Sequence, residues 1–152
     1  MNAKALLVVD VQEEYMKRYE EGLLKRINQR IGKAVEDREL IVYIENIKML
    51  RLAEKKSPFA TGLYIASPYV FSKKKASAFS NAELVNFLKE KGITNLEIIG
   101  VDGNYCVLGT AKEGKKYLNS VSVNCNCVGA MNNQRYEKTK ETLSKLGVEI
   151  LN

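Results

Sequence analysis

Short apolar segments alternate with amphipathic segments along this chain. Residues 5–9 form an uninterrupted apolar run that stops at a charge, a pattern typical of a strand buried on both faces. From Glu20 to about Val35, apolar residues recur at helical spacing with Lys, Arg and Glu between them, which predicts an amphipathic helix. The other apolar runs predict strands over residues 40–44, 69–72, 96–101, 121–125 and 148–151.

Three further helices are predicted between these strands. Asn81 can cap a helix that runs to Lys91, and Gly92 suits the position after its end. The other two helices span residues 104–118 and 134–146. Strands that alternate with helices predict an α/β fold: a three-layer α/β/α sandwich with a mostly parallel, roughly six-stranded sheet. No linker or repeat interrupts the pattern, so residues 1–152 are expected to form a single domain.

The carboxyl ends of the predicted strands carry three reactive side chains. Asp10 follows the first strand, Lys73 the third and Cys106 the fourth. Because ligands of open α/β sheets bind beyond the carboxyl ends of the strands, we expect these three groups to converge.

The absence of histidine narrows the chemistry more than any other feature of the composition. It removes Ser-His-Asp and Cys-His catalysis and every metal site built on imidazole. We therefore expect no cofactor and no metal.

The three cysteines are an odd number without regular spacing, which argues against a secreted module held together by disulfides. Cys125 and Cys127 are interpreted as structural.

The basic charge changes the expected partners little. The formal net charge is +6, yet apart from the lysines at 73–75 the basic residues are interspersed with Glu, as on solvated helix faces. A nucleic-acid-binding flavodoxin-like domain is the weaker alternative, and we expect no nucleic-acid partner.

No apolar run is long enough to span a membrane, and the first residues reach an acidic residue too soon for a signal peptide. We expect a cytoplasmic protein that does not bind membranes.

Cys106 has the surroundings of a nucleophile. It follows a strand by the turn 102–105 and begins a helix, whose dipole, with a lysine nearby, can lower the thiol pKa toward neutrality. Asp10 could accept the thiol proton and later activate a water molecule. The backbone amides of Asp102 and Cys106 could form an oxyanion hole.

Three segments resemble one known family. IIGVDGNYCVLGTA resembles the nucleophile segment of isochorismatase-like and nicotinamidase-like cysteine hydrolases, ALLVVDVQ is similar to their first strand, and FSKKKASAF to their lysine segment. In that segment the catalytic Lys lies four positions before Ser, which selects Lys73. The resemblance implies a catalytic triad of Asp10, Lys73 and Cys106. It also implies a non-proline cis peptide between Val101 and Asp102, and self-association into a homo-oligomer.

The chain departs from the family pattern in three places. Related nicotinamidases carry an Asp-His-His metal site, which a chain without histidine cannot build, so nicotinamide becomes a less favoured substrate. The loops between the second and third strands are short, and Asn126 stands where relatives often have Asp. The weaker candidates for lining the substrate pocket are Gln12, Tyr15 and Tyr105. Tyr15 is equally compatible with a packing role.

The sequence therefore predicts a metal-independent cysteine hydrolase that cleaves a small amide or related carbonyl compound through a covalent Cys106 acyl-enzyme. Two alternatives stay open. One is a catalytically silent binding or regulatory member of the same fold, which the shortened loops suggest. The other is vinyl-ether hydrolysis of the isochorismatase type.

Overall fold

The computed structural model describes residues 3–50 and 52–152. Within them the strands are Lys4–Val9 (β1), Leu40–Leu50 (β2), Ala53–Lys56 (β3), Val70–Lys73 (β4), Asn95–Val101 (β5), Ser120–Gly129 (β6) and Glu149–Leu151 (β7). The α-helices are Glu13–Met16 (α1), Gly22–Glu36 (α2), Ala82–Glu90 (α3), Cys106–Gly114 (α4) and Asn133–Lys145 (α5), with a short 3₁₀ helix at Ala78–Ser80.

The strands form one sheet in the order β3-β2-β1-β5-β6-β7. β4 pairs in parallel with the first half of β2, and β3 pairs antiparallel with its second half. The other neighbouring strands are parallel. The predicted mostly parallel α/β fold is confirmed, with β3 as an additional strand.

β3 and the second half of β2 were not predicted from the sequence, and the reason is the same for both. β3 reads Ala-Glu-Lys-Lys and is exposed along its whole length, so it has no apolar pattern. β2 continues to Leu50, beyond the predicted end at residue 44, and residues 45–48 are only partly buried. A continuous apolar run marks only the fully buried part of a strand.

Two hydrophobic cores cover the two faces of the sheet. Side chains alternate along β1, so Leu7 and Val9 join the core beneath α3, α4 and α5, while Leu6 and Val8 join the core beneath α2. Four side chains of α2 are buried there, namely Leu23, Ile27, Ile31 and Ala34. Val35 of the same helix is exposed. Each buried leucine or isoleucine contributes roughly 1.5–3 kcal/mol through burial. The two cores together hold the sheet edge rigid.

Of the four predicted helices, α2, α3 and α5 end within one residue of the predicted positions. Asn81 accepts a hydrogen bond from the Glu83 N–H and caps α3 as expected. α4 is shorter than predicted at both ends, because residues 102–105 form a turn and the chain leaves the helix again after Gly114. No helix in residues 3–50 and 52–152 has both the length and the apolar character needed to cross a membrane.

Candidate active site

The structure brings Asp10, Lys73 and Cys106 together at the carboxyl edge of the sheet. Lys73 Nζ lies 3.0 Å from Asp10 Oδ2 and 3.4 Å from Cys106 Sγ. Asp10 follows β1, Lys73 ends β4 and Cys106 begins α4. The predicted convergence of these side chains is thus observed, and their catalytic roles remain predictions.

Asp10 is buried, and a backbone hydrogen bond and a left-handed backbone conformation fix its position. Its N–H donates to the Ile44 carbonyl at 3.0 Å, and its φ of 54° lies in the left-handed region. The residue is 3% exposed, and Oδ1 has no hydrogen-bond partner among the described residues. Burial raises the pKa of this carboxyl, although Lys73 and the Cys106 thiol pull it down.

Lys73 is held as an ammonium group between three acceptors. Besides the Asp10 carboxylate and the Cys106 sulfur, its Nζ donates to Asn46 Oδ1 at 3.1 Å. β4 pairs Lys73 with Asn46 in register, which places both side chains at the same end of the sheet. The lysine therefore fixes the positions of the carboxylate and the thiol relative to one another.

The residues that follow Lys73 attach this segment to α4, the helix that Cys106 begins. Ser77 accepts from the Phe79 N–H and caps the 3₁₀ helix, while the Ala78 N–H donates to Thr110 Oγ1 of α4 at 3.0 Å. Phe79 is buried in the core. The bond from Ala78 and the burial of Phe79 thus hold the lysine segment against α4.

Cys106 is the first residue of α4, and a tight turn presents it to the cavity. The N–H groups of Tyr105 and Val107 both donate to the Asp102 carbonyl at 3.1 Å. The peptide between Val101 and Asp102 is cis, as the family resemblance implied. Placement of the thiol at a helix start agrees with the sequence prediction.

The predicted lowering of the Cys106 pKa is wrong. Burial and, second, the negative charge of Asp10 together raise the pKa of the thiol to about 11, because Lys73 opposes them only in part. The sequence argument counted the lysine and the helix start but not the desolvation of the sulfur. At neutral pH the proton therefore rests on the sulfur, with a carboxylate beside it.

The Asp102 side chain braces the turn below the nucleophile. Its Oδ2 accepts from the Tyr19 hydroxyl and the Met131 N–H, each at 2.9 Å, and its Oδ1 accepts from the Asn104 N–H at 2.8 Å. The Gly103 N–H donates to the Gly129 carbonyl at 2.8 Å. These contacts tie the turn to β6, to the residues that follow β6 and to the segment after α1.

A cavity of about 270 Å³ opens beside the three side chains. Tyr15 and Tyr105, both weaker predictions, lie in its wall. The full lining comprises Asp10, Tyr15, Arg18, Tyr19, Asn46, Lys48, Val101, Asp102, Tyr105, Cys106 and Met131. The cavity is of the size that a small molecule requires.

Gln12 does not line this cavity, so its predicted role in the pocket is corrected. The side chain is fully buried, and its Nε2 donates to the carbonyls of Asn46 and Ser57. Its Oε1 accepts from the Asn46 N–H at 2.8 Å. Both N–H groups and the oxygen of the amide are thus engaged in holding the backbone at Asn46 and Ser57.

Asn46 is a site residue that the sequence reasoning missed. It accepts from Lys73, and its Nδ2 donates to the Tyr15 hydroxyl at 2.9 Å. A weak signal was present, since Asn46 lies two positions after the apolar run 40–44, near the carboxyl end of that predicted strand. The cationic side chains Arg18 and Lys48 were also missed, because neither follows an apolar run directly.

Cys125 and Cys127 lie outside this cavity, as their structural interpretation requires. Cys127 is buried and contacts the Arg26 carbonyl, and Cys125 contacts the Tyr136 hydroxyl at 3.4 Å. Asn126 is exposed, and its carbonyl accepts from Arg26 Nε at 2.7 Å. Nothing else in the structure explains the asparagine at this position.

The side chains present do not fit the metal site of related nicotinamidases. The sequence contains no histidine, and no group of three Cys, Asp or Glu residues in the described ranges is arranged to hold a metal ion. The ammonium of Lys73 already occupies the space between Asp10 and Cys106. This donor set offers no site for a resident zinc ion.

Comparison with known proteins identifies the family. The family model for the isochorismatase domain matches residues 4–152. No curated protein matches the chain by sequence.

The solved structures that resemble this chain share its fold at low sequence identity. The Staphylococcus aureus nicotinamidase is 24% identical, with a TM-score of 0.85 over 100% of this chain and 99% of that one. The Pyrococcus horikoshii pyrazinamidase, solved in complex with zinc, is 23% identical, with a TM-score of 0.82 over 99% of both chains. An isochorismatase family protein from Desulfovibrio vulgaris is 19% identical, with a TM-score of 0.87 over 99% of this chain and 94% of that one. The resemblance first noted in three short motifs is confirmed, and the chain belongs to the isochorismatase family of hydrolases.

Proposed function

We propose that the protein hydrolyses a small amide or related carbonyl compound through a covalent acyl-enzyme on Cys106. The observation that carries the proposal is the contact of one buried ammonium group with both a carboxylate and a thiol at the wall of a small cavity. Two of the similar structures are amidases by name, a nicotinamidase and a pyrazinamidase. Their names favour a C–N bond as the one that is cleaved.

In the first half-reaction, Cys106 Sγ attacks the carbonyl carbon while its proton passes to a carboxylate oxygen of Asp10. The raised pKa of the thiol requires such a base, because little thiolate exists at neutral pH. Collapse of the tetrahedral intermediate breaks the C–N bond, and the amine leaves with the proton from Asp10. A thioester on Cys106 remains.

In the second half-reaction, Asp10 accepts a proton from a water molecule that attacks the thioester. The new tetrahedral intermediate expels the sulfur, which recovers the proton from Asp10, and the acid product departs. The Lys73 ammonium stays protonated throughout and keeps the carboxylate and the sulfur in position.

The backbone amides of Asp102 and Cys106 are the proposed donors to the oxyanion in both steps. Within residues 3–50 and 52–152, neither N–H donates to an acceptor in the turns and loops. Preorganised donors of this kind typically lower a barrier by about 3 kcal/mol each. The bonds from the Asp102 carboxylate to Tyr19 and Met131 hold this turn in place before substrate arrives.

The test is hydrolysis of a panel of small amides by the parent protein and by Cys106→Ala. We expect turnover by the parent and a loss of at least about a thousandfold in the variant, because the nucleophile is gone. Cys125→Ala is the matched control, since Cys125 lies outside the cavity, and it should retain activity.

Equal turnover by the parent and Cys106→Ala would contradict the covalent scheme. A parent protein that binds amides without hydrolysing any of them would support the alternative of a silent binding member. The metal independence of the reaction is part of the same proposal and is tested separately below.

A further inference from the structure

Two cationic side chains line the cavity without any role in the proposed chemistry. Arg18 is exposed and Lys48 is partly buried in the cavity wall, whereas Asp10 in the same wall is buried. Both cations lie near the ring of Tyr15, with Arg18 Cζ at 5.7 Å and Lys48 Nζ at 5.2 Å from its centroid. The aromatic ring attracts both cations and so keeps them in the cavity wall.

Among the residues that the structure describes, no carboxylate in the cavity wall forms an ion pair with Arg18 or Lys48. Asp102 is already bonded to three donors, and Asp10 is paired with Lys73. Outside the wall, Glu14 forms an exposed ion pair with Lys48. Arg18 forms no ion pair in the part of the chain that the structure describes.

We infer that the substrate carries a carboxylate, which Arg18 and Lys48 bind while the scissile carbonyl lies beside Cys106. This inference rests on the proposed function and adds a substrate class to it. A guanidinium group binds a carboxylate through two parallel hydrogen bonds, and a nearby ammonium adds a point charge. The cavity of about 270 Å³ lies below the range of drug-sized pockets, so the substrate is a short acid that reaches both ends.

The inference is tested by binding, which does not depend on turnover. Isothermal titration calorimetry with the Cys106→Ala protein compares succinamate, an amide with a carboxylate, with 4-methylpentanamide, its neutral counterpart of the same shape. We expect succinamate to bind at least tenfold more tightly, with an affinity that falls as salt is added.

Charge-removing variants identify the residues responsible. In the Cys106→Ala background, Arg18→Gln with Lys48→Gln should weaken succinamate binding at least tenfold and leave 4-methylpentanamide binding unchanged. Lys89→Gln is the matched control, because Lys89 is exposed on α3 and contributes nothing to the cavity wall. It should change neither affinity.

Equal binding of the charged and neutral amides would overturn the inference, and so would binding of neither compound. An equal loss of both affinities in the double variant would also overturn it, since that result indicates a general effect on the cavity. Turnover of neutral amides that requires Cys106 would leave the proposed function standing even if succinamate failed to bind.

Discussion

Asp10 and Cys106 form a pair in which a buried carboxyl group and a partly buried thiol compete for one proton. Burial raises the pKa of both groups, that of the thiol to about 11. Lys73 favours the charged form of each, and its closer contact is with the carboxylate, at 3.0 Å. The carboxylate with a neutral thiol is therefore the resting state, and the thiolate arises only as the sulfur attacks.

This resting state predicts the pH dependence of kcat/KM. Because the pKa of Asp10 is raised above its ordinary value of 3.8, the carboxylate that acts as base is lost as the pH falls through that raised value. The acid limb of the profile should lie above pH 3.8, and activity should persist toward pH 11. Asp10→Asn should lower kcat/KM by about a hundredfold to ten-thousandfold and remove the acid limb.

Glu90→Gln is a suitable control for that experiment, because Glu90 is exposed at the end of α3 and lies outside the cavity wall. It should leave the profile unchanged. An unchanged acid limb in the Asp10→Asn protein would contradict the assignment of Asp10 as the base.

Individual residues show what sequence patterns can and cannot locate. Asp10 and Cys106 were placed at the sheet edge because each follows a strand whose apolar pattern is clear. Lys73, in contrast, was selected from three lysines by its spacing from Ser77 in the family resemblance. Gln12 was misassigned, since a sequence does not reveal that a side-chain amide is consumed by the backbone of another strand. The prediction for the Cys106 pKa was wrong for a similar reason, because desolvation of the thiol depends on neighbours that are remote in sequence.

At the scale of elements, the close approach of β1 and β5 sets the position of Asp10. Gly100 pairs with Val9 in register and has a φ of 121°. A Cβ atom on Gly100 would lie 2.1 Å from the Val9 carbonyl oxygen, so no larger residue fits beside the strand that ends at Asp10.

Gly100→Ala should therefore destabilise the protein by more than about 2 kcal/mol, because both the contact and the backbone conformation are unfavourable. Gly32→Ala is the matched control, since no atom lies within 4 Å of the added Cβ in α2, and it should stabilise the helix by about 0.5–1 kcal/mol. Chemical denaturation measures both effects. A Gly100→Ala protein as stable as the parent would contradict the packing described for β1 and β5.

A buried ion cluster joins β5 to α2 and β1 away from the active site. Burial alone would raise the pKa of Glu97, but hydrogen bonds from Arg30, Lys4 and Asn124 lower it to about 2. Arg30 Nε donates to Glu97 at 2.8 Å and Lys4 Nζ donates at 2.9 Å. Because the pKa is lower in the folded than in the unfolded protein, Glu97 stabilises the fold fully above its ordinary pKa of 4.5.

The contribution of Glu97 to the free energy of unfolding should disappear as the pH falls from 4.5 to about 2. Glu97→Gln should lower the free energy of unfolding by about 3 kcal/mol at pH 7, and this difference should shrink to nearly zero near pH 2. Denaturation of both proteins across this pH range measures the effect. A difference that does not change with pH would show that the loss comes from packing and not from charge.

Elements with strong periodicity were predicted well, and short or exposed elements were not. α2 and α3 have clear apolar stripes or caps, and their observed bounds differ from the predicted ones by about two residues or fewer. α1 and β3 have only four residues each and no buried pattern, so local sequence gave no sign of them. Their positions follow from contacts with β2 and the segment around Ser57, including the bond from the Glu14 N–H to Ser57 Oγ.

At the scale of the whole molecule, the alternation of strands and helices was enough to predict the sheet and to place the reactive groups at one edge. The substrate could not be predicted in the same way. The cavity wall is built from residues after β1, in α1, on β2, around α4 and after β6. Its shape and charge emerge only when these separate segments meet.

The side chains that could bind a metal also predict how activity responds to metal removal. Prolonged dialysis against EDTA should leave amide hydrolysis within about twofold of the untreated value, because the described residues provide no group of metal ligands. Elemental analysis of the protein before and after dialysis is the accompanying measurement. Loss of activity that added zinc restores would contradict metal independence.

The covalent intermediate is the central claim, and mass spectrometry tests it most directly. The protein is mixed with the amide that it hydrolyses fastest, quenched in acid during turnover and digested. The account predicts a mass increase equal to the acyl group on the peptide that contains Cys106, and no such adduct in the Cys106→Ala protein. Hydrolysis by both proteins without an adduct on that peptide would contradict it.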